Sequence, residues 1–205
     1  MIAIIDYGMG NLHSVSQALE QMNHSCFITS DPLEIRQADA LILPGVGAFG
    51  DAMRELEERG LTSLIKQEAV LGKPLLGICL GMQLLFTSSE EHGYHQGLNL
   101  LPGQVIRFRG DFPVPHMGWN WLRFKEPHPL FRGLDEDYVY FVHSYHVQAD
   151  NAEDVIGVTD YHGEVTAVVA RGHIVGMQFH PEKSGDLGWK LLDRFVQLAG
   201  ERVRA

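Results

Sequence analysis

Short apolar runs alternate with helical repeats through the first part of the chain. Ile2 to Ile5 is an uninterrupted apolar stretch that stops at Asp6 and a Gly-rich turn. Behind it, Leu12, Val15, Leu19 and Met22 recur at the spacing of one helix face, with Asn11 placed as N-cap. Ser25 to Thr29 and Ala40 to Leu43 read as a second and a third strand, the third ending at Pro44-Gly45-Val46-Gly47. Helical pattern returns from about Asp51 to Leu71. Leu75 to Ile78 is a fourth strand, and Leu80 to Phe86 restarts a helix with no spacer. Continuous apolar strands alternating with helices predict a mostly parallel central sheet with helices on both faces.

The C-terminal half has another rhythm. Tyr138 to Val142, Val155 to Thr159, Val165 to Ala170 and Ile174 to Phe179 are β-rich and closely spaced, with turns at His162-Gly163 and Arg171-Gly172. They predict antiparallel strands added to the sheet as hairpins. A last helix from about Leu187 to Leu198 places Leu191, Leu192, Phe195 and Leu198 on one side. Gly110 to Pro129, with its prolines and aromatics, reads as an ordered surface loop. No repeat, low-complexity tract or composition break divides the chain, so 1–205 is expected to be a single α/β domain.

Composition narrows the classes. Of 205 residues, 45% are apolar and 20% charged, which suits one globular domain with its own core. The net charge of −10 repels phosphate backbones, so non-specific nucleic-acid binding is not expected. Two cysteines, Cys26 and Cys79, make no disulfide framework and suit a reducing, cytoplasmic setting. The N-terminus lacks the basic segment of a signal peptide. The longest apolar stretch, Leu75 to Phe86, is broken by glycines and Gln83 and is too short to span a bilayer, so no membrane association is expected.

The central chemical signal is Gly77-Ile78-Cys79-Leu80-Gly81. A strand joined to a helix without a spacer needs a sharp turn centred on residue 79, and small residues must flank it; glycine at 77 and 81 meets that need. The thiol then sits at a helix N-terminus, where the dipole favours a thiolate, and the Leu80 amide is free to donate to an oxyanion. Alone, the pattern accommodates a buried structural cysteine as readily as a nucleophile. Cys26, in a strand without such flanks, reads as core.

A cysteine nucleophile needs a proton acceptor. Of 11 histidines, His180 closes the last apolar strand in Gln178-Phe179-His180-Pro181-Glu182. Pro181 biases His180 towards extended backbone, where residues i and i+2 share a side, so Glu182 is placed to hold the far ring nitrogen. Taken alone, this is more often a strand-end histidine beside a solvated glutamate. Each signal supplies what the other lacks, and a parallel sheet gathers strand ends along one edge. The loop Pro44-Gly45-Val46-Gly47 ends at that edge and is a candidate second oxyanion donor and substrate cradle.

Other motifs fall away. Asp6 to Asn11 fails the dinucleotide pattern because position 13 is His13. No cysteine or histidine cluster has metal-ligand spacing. His143 and His146, three apart in one expected strand, should face opposite sides. Met117, Trp119 and Trp121 fit core or a binding surface equally.

Gly77 to Gly81, continued through Gln83, together with His180-Pro181-Glu182, resembles the triad class of glutamine amidotransferases. DYGMGN (6–11), LPGVGAFG (43–50), PHMGW (115–119), FVHSY (141–145) and QFHPEKSG (178–185) resemble, within it, the glutaminase subunits of imidazole glycerol phosphate synthase, over essentially the whole chain. The resemblance implies that Cys79 attacks the side-chain amide of glutamine, His180 protonates departing ammonia and Glu182 orients His180. It implies an oxyanion hole from the amides of Val46 and Leu80, one of them competent only on activation. Gly47, Gln83 and His143-Ser144-Tyr145 would hold glutamine, and neither cofactor nor metal is implied. The implied partner is a (β/α)8-barrel cyclase that uses the ammonia to make imidazole glycerol phosphate, on the path to histidine. Asn11, Trp119 and Lys183 would lie towards it, against their alternatives as capping, packing and solvated residues. Two other readings stand beside this one: a glutaminase serving another synthase, and a non-catalytic interaction module.

Overall fold

The structure, a computed structural model, describes residues 1–204 and the side chains through Glu201. The N-terminal part runs β1 (Ile2–Ile5), α1 (Leu12–Gln21), β2 (Cys26–Thr29), α2 (Pro32–Gln37), β3 (Ala40–Gly45), α3 (Phe49–Glu58), α4 (Leu61–Val70), β4 (Leu75–Cys79) and α5 (Leu80–Leu84). The strands β5 (Phe86–Ser89), β6 (His95–Gln96), β7 (Leu101–Arg107), β8 (His116–Trp121), β9 (Arg123–Phe124), β10 (Tyr138–His143) and β11 (Tyr145–Ala149) follow. The chain closes with β12 (Val155–Asp160), β13 (Glu164–Arg171), β14 (Ile174–Met177) and α6 (Gly185–Arg204).

The main sheet has eight strands in the order β2-β1-β3-β4-β14-β13-β12-β9. Its first five are mutually parallel, and β13, β12 and β9 add antiparallel pairs. This is the expected α/β class. Alternate residues feed two cores. Ala3, Ile5, Leu41 and Leu43 pack with Leu56 of α3 and Leu61 and Ile65 of α4. Ile2, Ile4, Ala40 and Ile42 pack with Val15 and Leu19 of α1 and Leu191 and Phe195 of α6. Strands buried on both faces need continuous apolar sequence, which is why these runs show no polar alternation.

Several expectations need correction. The helix after Cys79 ends at Leu84, and Phe86 belongs to β5, paired in parallel with Leu101 of β7. An apolar run alone does not separate a short helix from the strand that continues it. The α2 helix went unseen because it buries only Ile35; Asp31 caps it by accepting from the Leu33 amide at 2.7 Å. Gly110 to Pro129 is not one loop, since it contains β8 and β9. The hairpin strands do not all join the main sheet: β10 pairs with β8, and β11 with β7 beside β5 and β6, in two smaller sheets. Among the described residues, no helix is long and apolar enough to cross a membrane.

Candidate active site

The parallel strands β1, β3, β4 and β14 deliver their carboxyl ends to one edge. Cys79 ends β4 opposite Gly45 and takes φ 55° and ψ −114°, a conformation that L-residues rarely adopt. The sharp turn crowds the backbone. A Cβ at Gly77 would lie 2.6 Å from the Gly81 carbonyl oxygen, and one at Gly81 would lie 1.8 Å from that of Leu43. The five-residue α5 supplies little macrodipole, so its field at the sulfur is that of first-turn amides, Leu80 foremost.

His180 is pinned from both sides. Its amide donates to the Tyr140 carbonyl at 3.1 Å, and its carbonyl accepts from Ser184 Oγ at 2.6 Å. The ring Nδ1 donates to Glu182 Oε1 at 2.8 Å, and the ring lines the same cavity as the Cys79 side chain. Burial works against the His180 cation, but the Cys79 side chain and the Glu182 carboxylate overcome it and push the imidazole up to about 10. Imidazole and carboxylate therefore meet, and imidazole and sulfur share one cavity. The His180–Glu182 contact forms through a 3-10 turn at Pro181–Lys183, not through the extended run that suggested it.

A cavity of about 310 Å³ opens over the sulfur. Cys79, His180, Val46, Gly47, Leu80 and Gln83 line it, and His143, Ser144 and Tyr145 form the wall opposite. Gly47 has φ 96°, with the Met9 methyl 2.8 Å from where a Cβ would stand, so only glycine suits this loop. Gln83 is buried, and its Nε2 donates to the Tyr145 carbonyl and to Gln178 Oε1, both at 3.0 Å. That nitrogen is committed to the protein, which leaves Gln83 shape and its carbonyl oxygen to offer.

Sequence reasoning missed part of the wall. Glu91, Pro115 and Val142 also line the cavity. Glu91 Oε2 accepts from the Phe49 amide at 2.8 Å, capping α3 from a loop that carries no motif. Gln178, fully buried, aims Nε2 at Cys79 Sγ at 3.9 Å; its place two residues before His180 was the available signal. Tyr7 donates its hydroxyl to the Pro44 carbonyl at 2.8 Å, and burial, then the Cys79 charge, push its phenol far up.

His143 and His146 do not share a strand. The chain changes sheets at Ser144, so both rings lie against Phe108, with centroids at 5.2 and 4.5 Å. Asn11 stands at the N-cap of α1 but accepts from Ser14 Oγ at 2.9 Å instead of a backbone amide. Lys183 is exposed, and Trp119 projects from β8 with Met117 and Trp121 as an exposed apolar face. That face joins Tyr138 of β10, opposite Trp121. Cys26 is half-buried in β2 and packs against the α1–α6 core.

The family model described as glutamine amidotransferase class-I matches residues 3–198. The chain is 53% identical over 212 residues to the imidazole glycerol phosphate synthase subunit HisH of Halalkalibacterium halodurans, covering 100% of this chain and 99% of that relative. It is 54% identical over 203 residues to the subunit of the same name from Sulfurimonas denitrificans, covering 96% and 98%. Among solved structures, one described as a glutamine amidotransferase superposes with a TM-score of 0.78 at 18% identity, covering 98% of this chain and 100% of that one. PurLQS from Thermotoga maritima gives 0.72 at 21%, covering 96% and 97%. At those identities the structural likeness speaks to fold alone.

Proposed function

The chain belongs to the class-I glutamine amidotransferase family, and from that premise we propose that it hydrolyses glutamine through Cys79, His180 and Glu182. The observation that carries this reading is the imidazole of His180, held by Glu182 and lining with Cys79 one cavity over the sulfur. A protonated imidazole beside a thiol favours the thiolate nucleophile. The thiolate attacks the side-chain amide carbon of glutamine. As the C–N bond breaks, His180 gives its proton to the leaving nitrogen, and ammonia departs. Water then attacks the thioester, passing a proton back to the ring; the C–S bond breaks, and glutamate leaves with the thiolate restored. The amides of Val46 and Leu80 are the proposed oxyanion donors. Gly47, Gln83, His143, Ser144 and Tyr145 are the proposed substrate wall, and 1–205 works as one amidotransferase domain.

The partner we propose is a (β/α)8-barrel cyclase that receives the ammonia in the cytoplasm. The relatives, more than half identical over nearly their full length, are named as subunits of imidazole glycerol phosphate synthase. The apolar face of Met117, Trp119, Trp121 and Tyr138 fits a protein interface, and Asn11 and Lys183 are further proposed partner contacts. A different synthase has no such support. The test is ammonia release from glutamine in the presence of the cyclase and its nucleotide ligand. Cys79→Ala should abolish release while the protein stays folded, and undiminished release would refute the assignment.

A further inference from the structure

Behind the substrate wall, two buried histidines touch. His116 Nδ1 and His143 Nε2 are 2.9 Å apart. The flanking partners determine where every proton lies. His143 Nδ1 is 2.7 Å from the Tyr145 carbonyl, which can only accept, so this nitrogen carries hydrogen. At the other end, Asn120 Nδ2 is 2.8 Å from the Asp160 carbonyl and 3.1 Å from His116 Nε2. The Trp121 amide donates to Asn120 Oδ1 at 2.8 Å, so the amide orientation is settled without reference to the ring. Asn120 thus donates to His116 Nε2, and His116 Nδ1 donates to His143 Nε2. Both rings are neutral and both carry hydrogen on Nδ1.

The surroundings hold that arrangement. Aromatic rings sandwich His116, Phe141 at 4.6 Å and Tyr161 at 4.1 Å, both stacked. The titratable groups acting on His143 besides its partner are His146 and His180, both disfavouring its charge, while Glu90 acts on His146. Burial pushes His116 down to about 4 and His143 to about 3.

We propose that His116 is a positioning residue for glutamine: through neutral His143 it delivers a directed hydrogen bond to the Tyr145 carbonyl and so fixes the strand switch at Ser144 that walls the cavity. This inference rests on the glutaminase reading above. The Tyr145 carbonyl also accepts from Gln83, whose same nitrogen meets Gln178 and so leads to Cys79 Sγ. A carbonyl held by two protein donors keeps its peptide plane fixed, and the Ser144 carbonyl beside it is held by the Phe108 amide at 3.1 Å. If His116 loses its donor, the buried Nε2 of His143 has no partner, the ring is held from the Tyr145 side alone, and the wall loosens next to the substrate.

Two measurements test this. In the full chain at about pH 7, imidazole nitrogen shifts should show His116 and His143 neutral and protonated on Nδ1; hydrogen on Nε2 of either ring, or a cation, would overturn the proposal. In the complex with cyclase, His116→Phe keeps the stacked ring and removes the donor. It should raise KM for glutamine about tenfold with a smaller change in kcat, the loss of one buried hydrogen bond. His116→Asn, which returns an N–H near the Nδ1 position, should restore KM to within about threefold. An unchanged KM in His116→Phe, or equal losses in both variants, would overturn the proposal. If His116→Phe does not fold, the nitrogen shifts of the unmodified chain decide. A wild-type complex that releases no ammonia would sink the glutaminase reading instead, and the proton arrangement would still be read directly.

Discussion

Glu182→Gln removes one charge and almost no volume from a place where charge matters. The His180 and Glu182 side chains are 4% and 1% exposed, and Nδ1 meets Oε1 at 2.8 Å. Glutamine keeps an oxygen for the Nδ1 proton, so the ring keeps its direction while its counter-charge is lost. Breaking a buried ion pair by removing one partner costs about 3–5 kcal/mol. Cys79 shares in holding the His180 cation, so the lower end of that range applies to Glu182. If the transition state, with its proton on the ring, feels about 3 kcal/mol, thioester formation slows by about a hundredfold. Single-turnover ammonia release in the complex with cyclase reads this step. The pH profile gives a second readout, with a definite sign. His180 is raised from its ordinary 6.5 to about 10. The imidazolium, and the stability it contributes, are therefore complete below about 6.5 and fade as pH rises through about 10. In Glu182→Gln the alkaline fall should begin at lower pH. A wild-type rate together with an unmoved alkaline limb would mean that the carboxylate is a bystander, and the triad reasoning would fail.

The other predictions are structural and interfacial. Gly81→Ala sets a methyl 1.8 Å from the Leu43 carbonyl oxygen, so β3 and α5 must part by roughly 1.7 Å to reach an ordinary contact of about 3.5 Å. Urea unfolding should lose about 3 kcal/mol or more, with activity lost as the Pro44 to Gly47 loop shifts; an unchanged midpoint would show that the turn has slack. Trp119→Ala, at a side chain 56% exposed, should leave the melting curve nearly unmoved. It should weaken cyclase binding by about 2 kcal/mol in calorimetry, and unchanged affinity would remove Trp119 from the interface.

What could be read from the chain follows from which faces each element buries. β1, β3 and β4 are covered on both sides, so each is an unbroken apolar run followed by a turn. The elbow was equally legible, because its two glycines are steric necessities at one-residue remove from the sulfur's neighbours. β8 was not legible. Its inward positions are His116, Gly118 and Asn120, and its outward ones Met117, Trp119 and Trp121. That is the reverse of the usual alternation, because the inner side carries a polar chain and the outer side an apolar face. His180 with Glu182 was found through an extended-backbone argument although a tight turn joins them, since both geometries put the side chains within reach. Glu91 and Gln178 escaped because their places are set by tertiary contacts with Phe49 and Gln83.

The position of β14 governs when the protein can first work. Ile174 to Met177 fills the slot beside Leu75 to Ile78, nearly a hundred positions earlier, and its continuation carries His180 to the cavity over the sulfur. A ribosome builds β4 long before its neighbour, so a half-made chain holds an apolar strand with one raw edge and a thiol without its imidazole. Release of a truncated product at that stage would yield a sticky, inert fragment. The proposed catalytic pair can thus assemble only once β14 has been made, because the strand that seals the sheet also brings the imidazole.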